Sequence, residues 1–144
     1  MSTTQKVPFG FAQRAEPESF RARTLMASLT VKDIHKSLTW YCERVGFFVD
    51  KRVERGGKLT SVLLKAGDVR LVITQDDGGS GGWDRVKGAG FELQFTTTQD
   101  IDGIAEAIKE RGGTLEAEPT DVSGVRTVRL RDPDGFRLVI SAAR

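Results

Sequence analysis

A few polar side chains in this chain have the types and positions that chemistry requires. Glu92 is followed two residues later by Gln94, and its carboxylate could act as a general base if burial raised its pKa. Arg70 and Arg137 each begin the same short run, Arg-Leu-Val-Ile. A guanidinium group at the mouth of a pocket could hold a carboxylate or a phosphate, although each arginine could equally pair with acidic residues nearby.

Other reactive residue types are scarce. His35 is the only histidine and Cys42 the only cysteine of the chain. His35 falls in the first turn of a predicted helix, where a polar side chain usually faces water. Cys42 has no histidine nearby to activate its thiol, and a single cysteine cannot form an internal disulfide. Trp83 stands in a glycine-rich stretch and could close over an aromatic ligand or pack against a partner subunit.

An internal repeat determines which elements position these side chains. The same separation of 67 residues relates three pairs of landmarks: Asp33 and Asp100, Gly46 and Gly113, and Arg70 and Arg137. Three independent pairs at one separation are poorly explained by chance. The chain therefore consists of two copies of one structural unit.

Each copy has the periodicity of one strand, one helix and three strands. In the first copy the predicted strands are residues 25–31, 47–55, 59–65 and 69–75, with a helix over 34–45. In the second they are 91–97, 114–118, 125–131 and 136–141, with a helix beginning at 101. We interpret residues 1–22 as an extension and 23–144 as a single domain, made of module one (23–75), a glycine-rich linker (76–88) and module two (89–142).

Strand alternation selects the polar residues that share one face of the predicted sheet, because successive side chains of a strand point to opposite faces. On this shared face we expect Ser28, Thr30, Arg70, Thr74, Glu92, Gln94 and Arg137.

Two segments carry a resemblance to a known family. The stretch SLTVKDIHKSLTWYCERVGFFV resembles the opening of a module of the vicinal oxygen chelate family, and LRDPDGFRLVIS resembles its closing hairpin. The resemblance covers about residues 24–142. It implies an α+β fold of two βαβββ modules, which form a cupped, eight-stranded mixed sheet with helices on the convex side. The family includes glyoxalases, dioxygenases, epimerases, fosfomycin-inactivating transferases and drug-binding proteins, so the fold alone does not choose a function.

The resemblance also gives a test for a metal. Enzymatic members hold a divalent cation with His, Glu or Gln side chains from the first and last strands of the modules. Here those positions correspond to Met26, Val72 and Val139, and only Glu92 is a candidate ligand, unless a one-residue bulge places Leu93 there instead. One carboxylate cannot supply the several donors that a cation needs. We therefore expect no metal and no cofactor.

Apolar residues at these positions suit a pocket for a flat or apolar small molecule, although the same side chains could simply pack together and fill the cup. We expect a metal-independent binding protein, such as one of the drug-resistance type, that sequesters an apolar or aromatic ligand. The alternative is a glyoxalase-like lyase or isomerase, or another enzyme of the family, with an irregular metal site or with Glu92 as the catalytic base. The expected ligand-binding residues are the seven polar residues above together with Met26, Val72, Trp83 and Val139.

Composition limits the partners. Apolar residues make up 38% and charged residues 29% of the chain, and the net charge is +2 without a basic cluster, so a nucleic-acid partner is not expected. The chain has neither an apolar signal segment nor a run long enough to cross a bilayer. We expect a cytoplasmic protein without membrane contact, and a homodimer, because a small cupped sheet leaves open edges and an apolar face.

Overall fold

The computed structural model describes residues 20–79 and 87–143, which form two copies of one βαβββ unit. The first copy consists of β1 (Ala27–Val31), α1 (Ile34–Leu38), β2 (Phe48–Arg55), β3 (Lys58–Ala66) and β4 (Val69–Gln75). A π-helical segment, Thr39–Val45, continues α1. The second copy consists of β5 (Glu92–Thr97), α2 (Ile101–Glu110), β6 (Ala117–Val122), β7 (Val125–Arg131) and β8 (Arg137–Ala142).

The strands form two four-stranded mixed sheets with the same topology. The strand order is β1-β4-β3-β2 in the first sheet and β5-β8-β7-β6 in the second. The β1–β4 and β5–β8 pairs are parallel, and the other pairs are antiparallel. The predicted α+β fold of two βαβββ modules is therefore confirmed, with the eight strands divided equally between two hydrogen-bonded sheets.

Strand register refines the repeat. Ser28 pairs with Val72 in the first sheet, and Gln94 pairs with Val139 in the second. Equivalent residues of the last strands, β4 and β8, are thus 67 positions apart in the sequence, whereas those of the first strands, β1 and β5, are 66 apart. The connection from β5 to α2 therefore contains one residue more than the connection from β1 to α1. Glu92 is consequently the structural equivalent of Met26. Leu93 pairs with Leu138 and packs against the core, so a bulge does not place Leu93 at that position.

One hydrophobic core joins the two modules. The inner face of each sheet, which we define as the face that carries the core residues, contributes Leu29 and Ile73 from the first module and Leu130 and Leu138 from the second, each at most 1% exposed. Tyr41 is fully buried in the same core. Burial of this shared apolar surface stabilises the modules as one unit.

Both helices begin directly after one of the two aspartates that mark the repeat, Asp33 and Asp100. The carboxylate of Asp33 accepts hydrogen bonds from the backbone N–H groups of His35 and Lys36, and that of Asp100 accepts one from Gly103, so both residues are N-caps. The predicted regular helix over 34–45 is only partly correct, because its second half is π-helical.

The first helix ends at Gly46, as predicted. Gly46 has φ 117°, and its N–H donates to the carbonyl oxygen of Tyr41, five residues earlier. A glycine is favoured there because its lack of a Cβ removes the penalty for positive φ.

Side chains also join the modules. The hydroxyl of Tyr41 donates a 2.7 Å hydrogen bond to Asp132 in the turn between β7 and β8, and Phe47 makes an edge-to-face contact with Phe95.

The predicted strand over 114–118 is displaced, because β6 runs from Ala117 to Val122. This edge strand is mostly exposed, contains Pro119, and has a register irregularity between Ala117 and Thr120. Proline is tolerated at a sheet edge but cannot donate a ladder hydrogen bond. With few apolar side chains to alternate, the segment gave no clear period from which to locate its ends. Among the described residues, no helix is long and apolar enough to cross a membrane.

Candidate functional site

The candidate site residues that belong to strands lie on the outer face of each sheet, which we define as the face opposite to the core. Along β1, Leu29 and Val31 are buried, whereas Ser28 and Thr30 are exposed. The same alternation in the other strands follows from the pleat of the sheet. The predicted polar residues therefore have the expected parity within their own sheets.

The outer face of the first sheet consists of rows of paired residues. Ser28, Val72 and Leu63 form the central row, in which each residue pairs with the next. A neighbouring row contains Thr30, Thr74 and Ser61, and the hydroxyls of Thr74 and Ser61 are 3.3 Å apart. Met26 precedes β1 and is 49% exposed. This face thus has an apolar centre with hydroxyl groups beside it.

On the other side of that central row, the first sheet carries two cations. Lys65 of β3 pairs directly with Arg70 of β4. Lys65 is half-buried and Arg70 is exposed. Alternation could have identified Lys65 from the sequence, because Val62 and Leu64 have core parity and Lys65 has the opposite parity, but it was not among the predicted site residues.

The outer face of the second sheet is more polar. Its central row consists of Gln94, Val139, Arg129 and Ala117. Val139 is 7% exposed yet does not belong to the core cluster, so it is buried beneath its neighbours on the outer face. Arg129 is another residue that the sequence analysis missed, and its alternation with the apolar Val128 and Leu130 gives the signal that could have identified it.

An ion-pair network occupies the next row of the second sheet. Arg131 and Arg137 pair directly across β7 and β8. Glu116 precedes β6, and its backbone N–H donates a hydrogen bond to the carbonyl oxygen of Arg129. Its side chain reaches both arginines. Its carboxylate accepts hydrogen bonds of 2.9 and 3.0 Å from Arg137 and one of 2.8 Å from Arg131. These bonds lower the pKa of Glu116 from 4.5 to about 2.

Glu92, the predicted base, belongs to the same network. Its carboxylate accepts a 2.8 Å hydrogen bond from the amide of Gln94 and lies 3.7 Å from a guanidinium nitrogen of Arg137. Its side chain is 33% exposed. The predicted pairing of Arg137 with acidic neighbours is thus present, whereas Arg70 has no such partner among the described residues.

The four positions that the family resemblance assigns to metal ligands divide between the sheets. Met26 and Val72 belong to the first sheet, and Glu92 and Val139 to the second. No strand of one sheet pairs with a strand of the other within residues 20–79 and 87–143. Strand pairing within one chain therefore does not join the four into one cavity. In that part of the chain, no group of three or more His, Cys, Asp or Glu side chains is arranged to hold a metal ion.

The remaining candidates are accounted for by their surroundings. His35 is exposed on α1, and Tyr41 is part of the core. Cys42 is half-buried, and burial raises the pKa of its thiol, which makes the nucleophilic thiolate scarcer. Trp83 lies outside the described residues.

Two surface depressions formed by the described residues bear on the site. The larger, of about 980 Å³, is an open groove between the modules, lined by inner-face residues such as Phe47, Phe95 and Ile140, and it contains none of the predicted site residues. The smaller, of about 370 Å³, is lined by Met26 and Arg70 together with Lys65 and Asp68. Of the two, only the smaller depression is lined by predicted site residues, namely Met26 and Arg70.

Comparison with solved structures supports the same architecture. The crystal structure of UcmS2 matches with a TM-score of 0.67 and 19% identity over 85% of this chain and 98% of that one. TnmS3 from Streptomyces sp. CB03234, described as an antibiotic-binding protein, matches with a TM-score of 0.65 and 22% identity over 86% and 98%. The virulence protein STM3117 from Salmonella typhimurium matches with a TM-score of 0.64 and 22% identity over 88% and 100%.

Sequence comparison identifies the family. No curated protein matches the chain. Residues 23–140, however, match the family described as Glyoxalase/Bleomycin resistance protein/Dioxygenase superfamily. Because this match spans most of the chain and agrees with the repeat and the two mixed sheets, the chain belongs to the glyoxalase/bleomycin resistance protein/dioxygenase superfamily.

Proposed function

We propose that this protein is a metal-independent, small-molecule-binding member of its superfamily, of the drug-resistance type. The observation that carries the proposal is the apolar character of Met26, Val72 and Val139, which stand where enzymatic relatives carry metal ligands. An apolar floor bordered by a few polar groups suits a flat or aromatic ligand. The likeness to TnmS3, an antibiotic-binding protein, supports this class of function.

The proposed ligand-binding protein is a cytoplasmic homodimer. Large apolar side chains are exposed on the outer face of the first sheet, namely Met26 at 49%, Phe48 at 54% and Val53 at 41%. A second copy that covered this face would remove apolar surface from water. If the first sheet of one chain faced the second sheet of its partner, two-fold symmetry would repeat that contact, and Met26 and Val72 of one chain would approach Glu92 and Val139 of the other twice in the dimer.

The alternative function, an enzyme that uses Glu92 as its base, receives less support. Glu92 is engaged by Gln94 and faces Arg137, and these contacts supply a structural reason for its presence. A base must instead be free to reach a substrate proton within hydrogen-bonding distance.

Native mass spectrometry of protein purified rapidly from cell lysate, without chelator, tests the proposal in one measurement. We expect a dimer that retains a small organic molecule and lacks a stoichiometric divalent ion. Two divalent ions per dimer would contradict the metal-independent function and favour the enzymatic alternative.

A further inference from the structure

Lys65 and Arg70 place two positive charges side by side on the outer face of the first sheet. They are directly opposite each other on β3 and β4, and both line the depression of about 370 Å³ beside Met26. Like charges at directly opposed positions of a sheet destabilise it unless an anion compensates them. A negative charge beside Lys65 and Arg70 would therefore stabilise this part of the sheet.

No described residue supplies that counter-charge by an ion pair. The carboxylate of Asp68 lines the same depression, but no ion pair joins it to Lys65 or Arg70 within residues 20–79 and 87–143. With Asp68 included, the lining still has an excess of one positive charge.

The second module provides an internal comparison. Arg131 and Arg137 occupy the positions equivalent to Lys65 and Arg70, and they too are directly opposed. There Glu116 binds both guanidinium groups through three hydrogen bonds. The repeat thus contains the same cation pair twice, once with its own carboxylate and once without.

We propose that Lys65 and Arg70 bind an oxyanion of the ligand, namely a carboxylate, sulfonate or phosphate group. This group would take the place that the Glu116 carboxylate occupies in module two. A planar guanidinium can bind two oxygens of such a group, and an ammonium adds a flexible point charge. Met26, on the same depression, contacts the apolar part of the molecule. The inference rests on the proposed function, because it assigns the charge of the same ligand, and it identifies the ligand class as amphipathic organic anions.

A pair of fluorescent probes tests this assignment. The dye 8-anilinonaphthalene-1-sulfonate carries a sulfonate, whereas N-phenyl-1-naphthylamine has the same aromatic framework without it. We expect the wild-type dimer to bind the sulfonate dye about tenfold more tightly than the neutral dye, as charge-assisted hydrogen bonds would produce. Inorganic phosphate at constant ionic strength should displace only the sulfonate dye.

The decisive variant is Lys65→Gln/Arg70→Gln. It should lose about tenfold in affinity for the sulfonate dye and keep its affinity for the neutral dye. The control Lys36→Gln/Lys58→Gln removes two exposed charges elsewhere and should bind both dyes like the wild type. Circular dichroism confirms that each variant is folded.

The possible failures are distinguishable. If the ratio of the two affinities is the same in the wild type and in Lys65→Gln/Arg70→Gln, the oxyanion site is overturned while the apolar pocket stands. If folded wild-type protein binds neither dye, the proposed pocket is overturned, and the oxyanion site with it.

Discussion

The Tyr41 hydroxyl lies 2.7 Å from a carboxylate oxygen of Asp132, and this buried hydrogen bond joins the helix of module one to the last hairpin of module two. Asp132 also accepts hydrogen bonds from the backbone N–H groups of Asp134 and Phe136. Burial raises the pKa of Asp132, and the bond from Tyr41 opposes that shift. The Tyr41 hydroxyl therefore stabilises the ionised form of the Asp132 carboxyl group, which burial in the core disfavours.

Tyr41→Phe should lower the free energy of unfolding by about 1–3 kcal/mol at pH 7, because it removes a hydrogen bond to a buried charged group. The loss should be smaller at pH 4, where more of the Asp132 carboxyl is protonated. Urea unfolding at both pH values measures the difference. An equal loss at the two pH values would show that the missing hydroxyl matters for packing rather than for charge.

Glu116 should make the protein sensitive to acid. Its pKa is about 2 in the folded protein and near 4.5 without its arginine partners. A depressed carboxyl pKa contributes stability that is present above the unfolded value and is lost as the pH falls from about 4.5 towards 2. Glu116→Gln should therefore be less stable than the wild type at pH 7 and approach it at pH 2. A stability difference that stays constant across this range would contradict the assignment.

The equivalent arginines of the two modules should respond differently to the same substitution. Arg137→Gln removes two hydrogen bonds to Glu116 and should lower the melting temperature. Arg70→Gln removes a charge that faces Lys65 without an ion-pair partner among the described residues, and should leave the melting temperature unchanged or raise it. Thermal unfolding at low ionic strength makes the contrast largest. Equal losses in the two variants would refute this interpretation.

Chelator treatment should leave the melting temperature unchanged. A metal that binds only the folded state adds stability by mass action, and its removal lowers the melting temperature. Differential scanning calorimetry with and without EDTA, followed by addition of Zn²⁺, Mn²⁺ or Mg²⁺, checks the expectation. A fall in melting temperature that one of these ions reverses would require a metal site.

The protein should sediment as a dimer at micromolar concentration, because the exposed apolar side chains of the first sheet include Met26 and Phe48. Replacement of Phe48, the more exposed of the two, by Glu should shift the equilibrium towards monomer. A wild-type protein that sediments as a monomer would remove the basis for a ligand site shared between two chains.

The repeat made the fold predictable from the sequence. Each module confirmed the other, so the order of strands and helices and the end of the first helix at Gly46 were predicted correctly. The limits of β6 were not, because Pro119 and an exposed edge leave no alternating pattern. The π-helical half of the first helix was also missed, since the apolar spacing of Tyr41 and Val45 is compatible with an α-helix.

The site was less predictable for a different reason. Parity placed Arg70 and Arg137 on the outer face correctly, but the two look identical in the sequence. Whether an arginine finds a carboxylate depends on the path of the irregular segment that carries Glu116, and local periodicity contains no information about that path. Lys65 and Arg129 were detectable by alternation alone and were overlooked.

The helix ends of the two modules meet through a reciprocal pair. Arg44 donates a 2.6 Å hydrogen bond to the carbonyl oxygen of Arg111, and Arg111 donates one of 3.0 Å to that of Arg44. These residues are 67 apart, one full repeat. Next to them, Gly46 and Gly113 lack the Cβ atoms that would approach the opposite arginine.

Reciprocity of this kind is the mark of an isologous contact, in which residue i meets residue j and j meets i across a two-fold axis. Here both residues belong to one chain. The contact is therefore of the kind that two identical one-module subunits would make, so the two modules of this chain meet as the halves of a two-fold dimer would.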